Sequence, residues 1–161
     1  MLRRKWLVAA AVVGLVGAWY LFRPERLFVD KTVAEAFPGG AAAATANTDP
    51  TPVLSGMFHS NAHETKGTAT IYQLPDGRQI LRLTGFETSN GPDVQVYLGA
   101  APDVNDNETV TTAGFVGLGG LKGNVGDQNY DIPAGTDLTR YRTVTIWCRR
   151  FSVNFGSAPL S

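Results

Sequence analysis

The chain is 161 residues long, 43% hydrophobic and only 17% charged, with 18 Gly and 9 Pro. That length favours one domain, and the turn-rich balance favours β structure over a helix bundle or coiled coil. Fourteen basic residues balance fourteen acidic ones and there is one cysteine, which excludes the basic excess of a nucleic-acid binder, an intramolecular disulfide and any multi-cysteine zinc or iron–sulfur site.

Residues 6–22 form an apolar run of 17 residues without a charge. A membrane-spanning helix needs about 20 residues, with a lower limit near 17. Arg3, Arg4 and Lys5 precede the run, and Trp6, Trp19 and Tyr20 stand at its ends like interfacial anchors. Its length and its bulky end, Trp19-Tyr20-Leu21-Phe22, favour an uncleaved anchor over a cleaved signal peptide. Residues 1–23 are thus read as a transmembrane helix. The basic cluster stays cytoplasmic, and the rest is expected to be extracytoplasmic, in the periplasm or at the cell surface.

Residues 24–52 read as a juxtamembrane segment and linker. Val29, Val33 and Phe37 recur every four residues, which predicts a short helix ended by Pro38-Gly39-Gly40. Residues 38–52 are then rich in Ala and Gly, a composition that cannot pack a core.

The folded unit is expected over 53–161, where eight basic residues meet ten acidic ones from residue 51 onward. Its pattern is short alternating runs between turn signals. Leu54, Gly56 and Phe58 make a first run, Ala69 and Ile71 a second, Leu81 and Leu83 a third. Pro75-Asp76-Gly77 joins the last two as a hairpin. Asn90-Gly91-Pro92 breaks the chain before Val94, Val96 and Leu98 alternate again. Residues 99–112 read as polar loop, and 117–130 as a glycine-rich loop. Val144, Ile146 and Cys148 share one face of the strongest run, after which the apolar parity flips to Phe151, Val153 and Phe155. A turn or bulge at Arg149-Arg150 would restore one core face. The expected fold is all-β, a sandwich or barrel-like domain of about seven or eight short antiparallel strands with no helix of note.

Chemistry concentrates at few positions. Cys148 lies in Trp147-Cys148-Arg149-Arg150. Two neighbouring guanidinium groups would favour the thiolate, the reactive and metal-binding form, and a thiolate can ligate haem iron. The same residue continues an apolar face, where free cysteine packs as a small core residue. His59 and His63 have a spacing that suits zinc on a helix, but Gly56, Ser60 and Asn61 argue for a loop, where a surface histidine pair is the favoured reading and His63 is an optional metal-ligand candidate. Lys122 among glycines invites a phosphate-loop reading, and Asn124, Asp127, Gln128 and Asn129 offer oxygens to a cation. The order of residues fits neither a phosphate loop nor an EF-hand, and a hydrogen-bonded turn is the competing reading. No catalytic triad is visible.

The soluble part resembles the DM13 family, a small extracytoplasmic domain. The matching blocks are Gly67 with its following strand, Asn90-Gly91-Pro92-Asp93, and Leu118 to Asn124. Gly126-Asp127-Gln128-Asn129-Tyr130 and Ile146 to Gly156 complete the set, which spans most of residues 54–160. The N-terminal anchor and Leu27 to Lys31 resemble single-pass bacterial members. The resemblance implies a β-rich domain and an electron-transfer role centred on the cysteine matching Cys148, as a bare thiol or as a prosthetic-group ligand such as that of haem. The apolar segment has no histidine, so a redox partner is expected in trans. On this reading Arg149 tunes the thiol and Trp147 packs beside it. The alternative is a binding or adhesion module without turnover, its contact surface formed by loops 87–93 and 117–130 with Asp93 and Lys122, and Cys148 buried. Exposure of Cys148 separates the two.

Overall fold

The computed structural model describes residues 2–22, 29–38 and 49–161, and within the first segment it leaves out the side chains of residues 2–4, 7, 8, 18 and 20–22. Leu2–Phe22 is a single helix, α1. Trp6, Val12, Val13, Leu15, Val16 and Trp19 are all exposed on it. Among the described residues, no helix is long and apolar enough to cross a membrane, so the anchor expected at 1–23 rests on the sequence.

The rest is β structure. The strands are β1 (Thr32–Ala34), β2 (Thr51–Met57), β3 (His59–Ser60), β4 (Lys66–Gln73), β5 (Gln79–Glu87) and β6 (Val94–Gly99). After a short helix, α2 (Asn107–Thr112), come β7 (Phe115–Gly120), β8 (Val125–Ile132), β9 (Thr143–Cys148) and β10 (Val153–Pro159). They build two five-stranded sheets, ordered β1-β8-β5-β4-β2 and β3-β10-β9-β6-β7. The alternating apolar positions decide which faces meet. Ala69, Ile71, Leu81 and Leu83 of the first sheet pack against Val96, Leu98, Val144 and Ile146 of the second in one cluster. Burying each large aliphatic side chain contributes about 1.5–3 kcal/mol. The result is a β-sandwich.

Several expectations are corrected. The described residues hold ten strands rather than seven or eight, because the segments read as loop at 117–130 and as helix at 28–37 both contribute. Residues 117–130 form the end of β7, a turn, and β8, which pairs with β5 through Leu81–Tyr130 and Leu83–Gln128. Residues 32–34 form β1, paired parallel to β8, so the sandwich is not purely antiparallel. The four-residue spacing of Val29, Val33 and Phe37 misled, since burial there alternates from 32 to 37 with period two. Backbone pairing to an open sheet edge outweighs a weak helical pattern. β2 begins at Thr51, and residues 30–37 pack onto the sandwich.

The loop at 99–112 contains α2, capped by the Asp106 carboxylate, which accepts from the Thr109 amide at 2.6 Å. Its Val110 joins Tyr97, Ala101, Val104 and Trp147 in a second apolar cluster on the outer face of β6 and β9. That cover is why β9 is buried on both faces. The parity flip after Cys148 is a turn at residues 149–152, which brings Val153 opposite Cys148, followed by a bulge between Asn154 and Gly156. Phe155 reaches the core, but Phe151 sits on the turn with 66% of its surface exposed.

Candidate functional site

Cys148 ends β9, flanked by Val94 on β6 and Val153 on β10. Its exposure is 0%, and it belongs to the inter-sheet cluster with Ile146, Val94 and Phe155. Trp147, one residue earlier, points to the opposite face and packs under α2. Alternation therefore separates these two neighbours by the thickness of the sheet.

The two arginines do not make an electropositive pocket for the thiol. Arg149 is 66% exposed, and its Nε donates to the Asp93 carboxylate at 2.8 Å. Its backbone amide also donates to the Asp93 carbonyl at 2.9 Å, which ties the 149–152 turn to the 89–93 loop. Arg150 is exposed.

The histidine pair is split. His59 Nε2 lies 2.8 Å from Asp103 Oδ1. The His63 ring packs on Phe155, with centroids 3.9 Å apart. Among the described residues no group of three or more His, Cys, Asp or Glu side chains could hold a metal ion. A haem thiolate ligand needs a sulfur open to the iron. A fully buried thiol inside an aliphatic inter-sheet layer does not fit that group.

Three segments do converge on a cleft of about 660 Å³. Its walls come from residues 29–31, 89–94 and 121–124, and they include Asp93, Lys122 and Asn124 of the residues picked from sequence. Asn124 is buried and fastens the walls together: its Nδ2 donates to Asp30 Oδ1 at 2.7 Å and to the Thr88 carbonyl at 3.2 Å, and its Oδ1 accepts from the Lys31 amide at 2.7 Å. Gln128 is fully buried and clamps the 121–124 turn. Its Nε2 donates to the Gly123 carbonyl at 2.8 Å, and its Oε1 accepts from the Lys122 amide at 3.2 Å and the Tyr130 hydroxyl at 2.7 Å. Burial raises the Tyr130 hydroxyl pKa well above its usual value.

The remaining polar candidates lie on β8 and face the chain's own N-terminal segment. Lys122 Nζ donates to both Glu35 oxygens, at 2.8 and 2.9 Å, and to the Asn129 carbonyl. The Asn129 amide donates to Glu35 Oε2 at 2.7 Å, and its Nδ2 to the Ala36 carbonyl at 2.9 Å. Asp127 pairs with Arg82 at 2.7 Å, and Arg82 in turn donates to the Glu35 carbonyl at 3.2 Å. Phe37 completes the contact, edge-on to Tyr72 at 4.8 Å and beneath the Arg82 guanidinium. Burial pushes the Glu35 carboxyl up, but Lys122 and the Asn129 amide outweigh it, so Glu35 titrates below the usual carboxylate range. Sequence reasoning did not single out Asp30, Glu35 or Arg82, and it placed Phe37 only on a predicted helix face. The alternation Val33-x-Glu35-x-Phe37 is the signal that would have found them.

No curated protein and no solved structure matches this chain. A family model described as electron transfer DM13 matches residues 57–160, well over half of the chain, which therefore belongs to the DM13 family.

Proposed function

We propose that this protein is a membrane-tethered DM13 domain that docks a partner in an extracytoplasmic electron-transfer assembly, with Cys148 serving as core packing. The carrying observation is the complete burial of the thiol. Reactive thiols sit in partly exposed, electropositive surroundings, and neither condition holds here: Arg149 spends its charge on Asp93 at the surface. The cleft between residues 29–31, 89–94 and 121–124 is the docking surface, and the partner is a redox protein supplied in trans.

The tether is α1. Its support is the uncharged run at 6–22, the basic cluster before it and the exposed apolar side chains spread around it. A helix apolar on several sides belongs in a core or a bilayer. The basic cluster keeps the N-terminus cytoplasmic and the domain outside.

The test is the rate at which a small aromatic disulfide labels Cys148 in the native chain and in denaturant. Labelling at least about a hundredfold slower in the native state supports core packing. Comparable rates would overturn it in favour of a second reading, electron transfer through the thiol itself, in keeping with the family's electron-transfer description.

A further inference from the structure

We propose that the outer edge of β8 is a strand-recognition site for an extended acidic peptide, and that residues 30–37 are its tethered occupant. The acceptor strand lies within the segment that matches the family model and its occupant lies outside it, and the inference holds whether or not α1 crosses a membrane.

A sheet edge offers unpaired amides and carbonyls to any extended chain. Here β1 takes that place through Thr32–Val125, Val33–Gly126 and Ala34–Asp127. The main chain is caught beyond the three paired residues: the Glu35 amide donates to the Asp127 carbonyl at 2.9 Å, and Asn129 Nδ2 holds the Ala36 carbonyl at 2.9 Å. Side chains of the occupant are read at alternate positions. Thr32, Ala34 and Ala36 face solvent, whereas Val33, Glu35 and Phe37 are half-buried. Lys122 and the Asn129 amide read the Glu35 carboxylate, and Asn124 reads Asp30.

The acceptor is shaped for this occupant. A Cβ at Gly123 would collide with the Lys31 carbonyl and the Val33 side chain, and its three nearest obstacles all belong to the occupant. A Cβ at Gly126 would collide with the Val33 carbonyl. Glycine at both positions lets one backbone lie flat on the other. Residues 39–48, outside the described part, join the occupant to β2, so the pairing forms within one chain at high effective concentration.

The experiment uses the full-length chain in detergent, with a protease recognition sequence placed inside residues 39–48. After cleavage, the piece carrying residues 1–38 and the piece carrying residues 49–161 are run together on a sizing column. The expected result is co-elution, lost when a synthetic peptide of residues 30–37 is added in excess. Glu35→Gln alters only the removable piece and leaves the acceptor sequence intact; its retention should weaken roughly fivefold. Gly123→Ala should release the piece outright. Immediate separation of the wild-type pieces overturns the proposal. So does retention of the Gly123→Ala pieces equal to wild type, or a Glu35→Gln peptide that competes as well as the native one. Sedimentation of the uncleaved chain with lipid vesicles tests the anchor separately, so the two ideas fail independently.

Discussion

Lys122 Nζ lies 2.8 Å from one oxygen of the Glu35 carboxylate and 2.9 Å from the other, across 87 residues of chain. The pair is partly exposed, with 33% and 40% of the two side chains open to solvent. Solvent screening holds its contribution to about 1 kcal/mol. Glu35 titrates below its ordinary 4.5 because Lys122 and the Asn129 amide outweigh the effect of burial. Arg82 and Asp127 also face this segment, paired to each other, and the neutral Tyr130 lies beneath Lys122. A depressed folded pKa stabilises fully above the unfolded value and stops doing so as pH falls through the folded one. Glu35→Gln should therefore lower stability by about 1 kcal/mol at neutral pH, and the loss should shrink as pH falls below the ordinary carboxylate range. Thermal melts of both proteins at neutral and acidic pH check this.

Substitutions at Cys148 should rank by polarity rather than by loss of a redox group. Cys148→Ala removes one buried sulfur and leaves a small cavity, at a cost of about 1–2 kcal/mol. Cys148→Ser keeps the volume but places a hydroxyl among aliphatic side chains, at a cost of about 1–3 kcal/mol or more if it finds no partner. Denaturant unfolding should find the serine variant no more stable than the alanine one.

Arg149→Ala should leave the labelling rate of Cys148 unchanged within about twofold. The guanidinium is 66% exposed and bonded to Asp93, while the thiol lies inside the sandwich. A severalfold drop in labelling, measured at fixed pH, would show that the arginine activates the thiol after all.

Trp147 carries the second cluster. Trp147→Ala should destabilise by about 3–5 kcal/mol, because Tyr97, Ala101, Val104 and Val110 all pack with it. Asp106→Ala, which only uncaps α2 above that cluster, should cost about 1 kcal/mol. Chemical denaturation of both variants measures the ratio.

The strands carried by period-two alternation were legible. Ile71, Leu81, Leu83, Val96, Leu98 and Ile146 all lie in the core where alternation puts them. The hairpin at Pro75-Asp76-Gly77 is closed by the Leu74 amide donating to the Arg78 carbonyl at 2.8 Å. What escaped was structure decided by distant partners. Val125–Ile132 contains a glycine and is mostly polar, so nothing local marks it as the strand between β1 and β5. The acids and amides there were legible as an interaction surface but not as one already filled. Asp127, Gln128 and Asn129 spend their hydrogen bonds on Arg82, Gly123 and residues 35–36. Likewise the Arg149-Arg150 pair beside Cys148 suggested an activated thiol, because sequence adjacency does not reveal that a strand end sends neighbouring side chains to different places.

The seating of β1 on β8 also sets a length. Between the end of α1 at Phe22 and Val29, where the cleft wall begins, there are only seven residue steps, an extended span of about 25 Å at most. Unseated, the chain from Phe22 to Thr51 could extend to about 100 Å. On the proposed membrane anchor, a domain with its strand in place keeps residues 29–31, which wall its cleft, within about 25 Å of the end of α1. Any partner it serves must then come to the membrane to meet it.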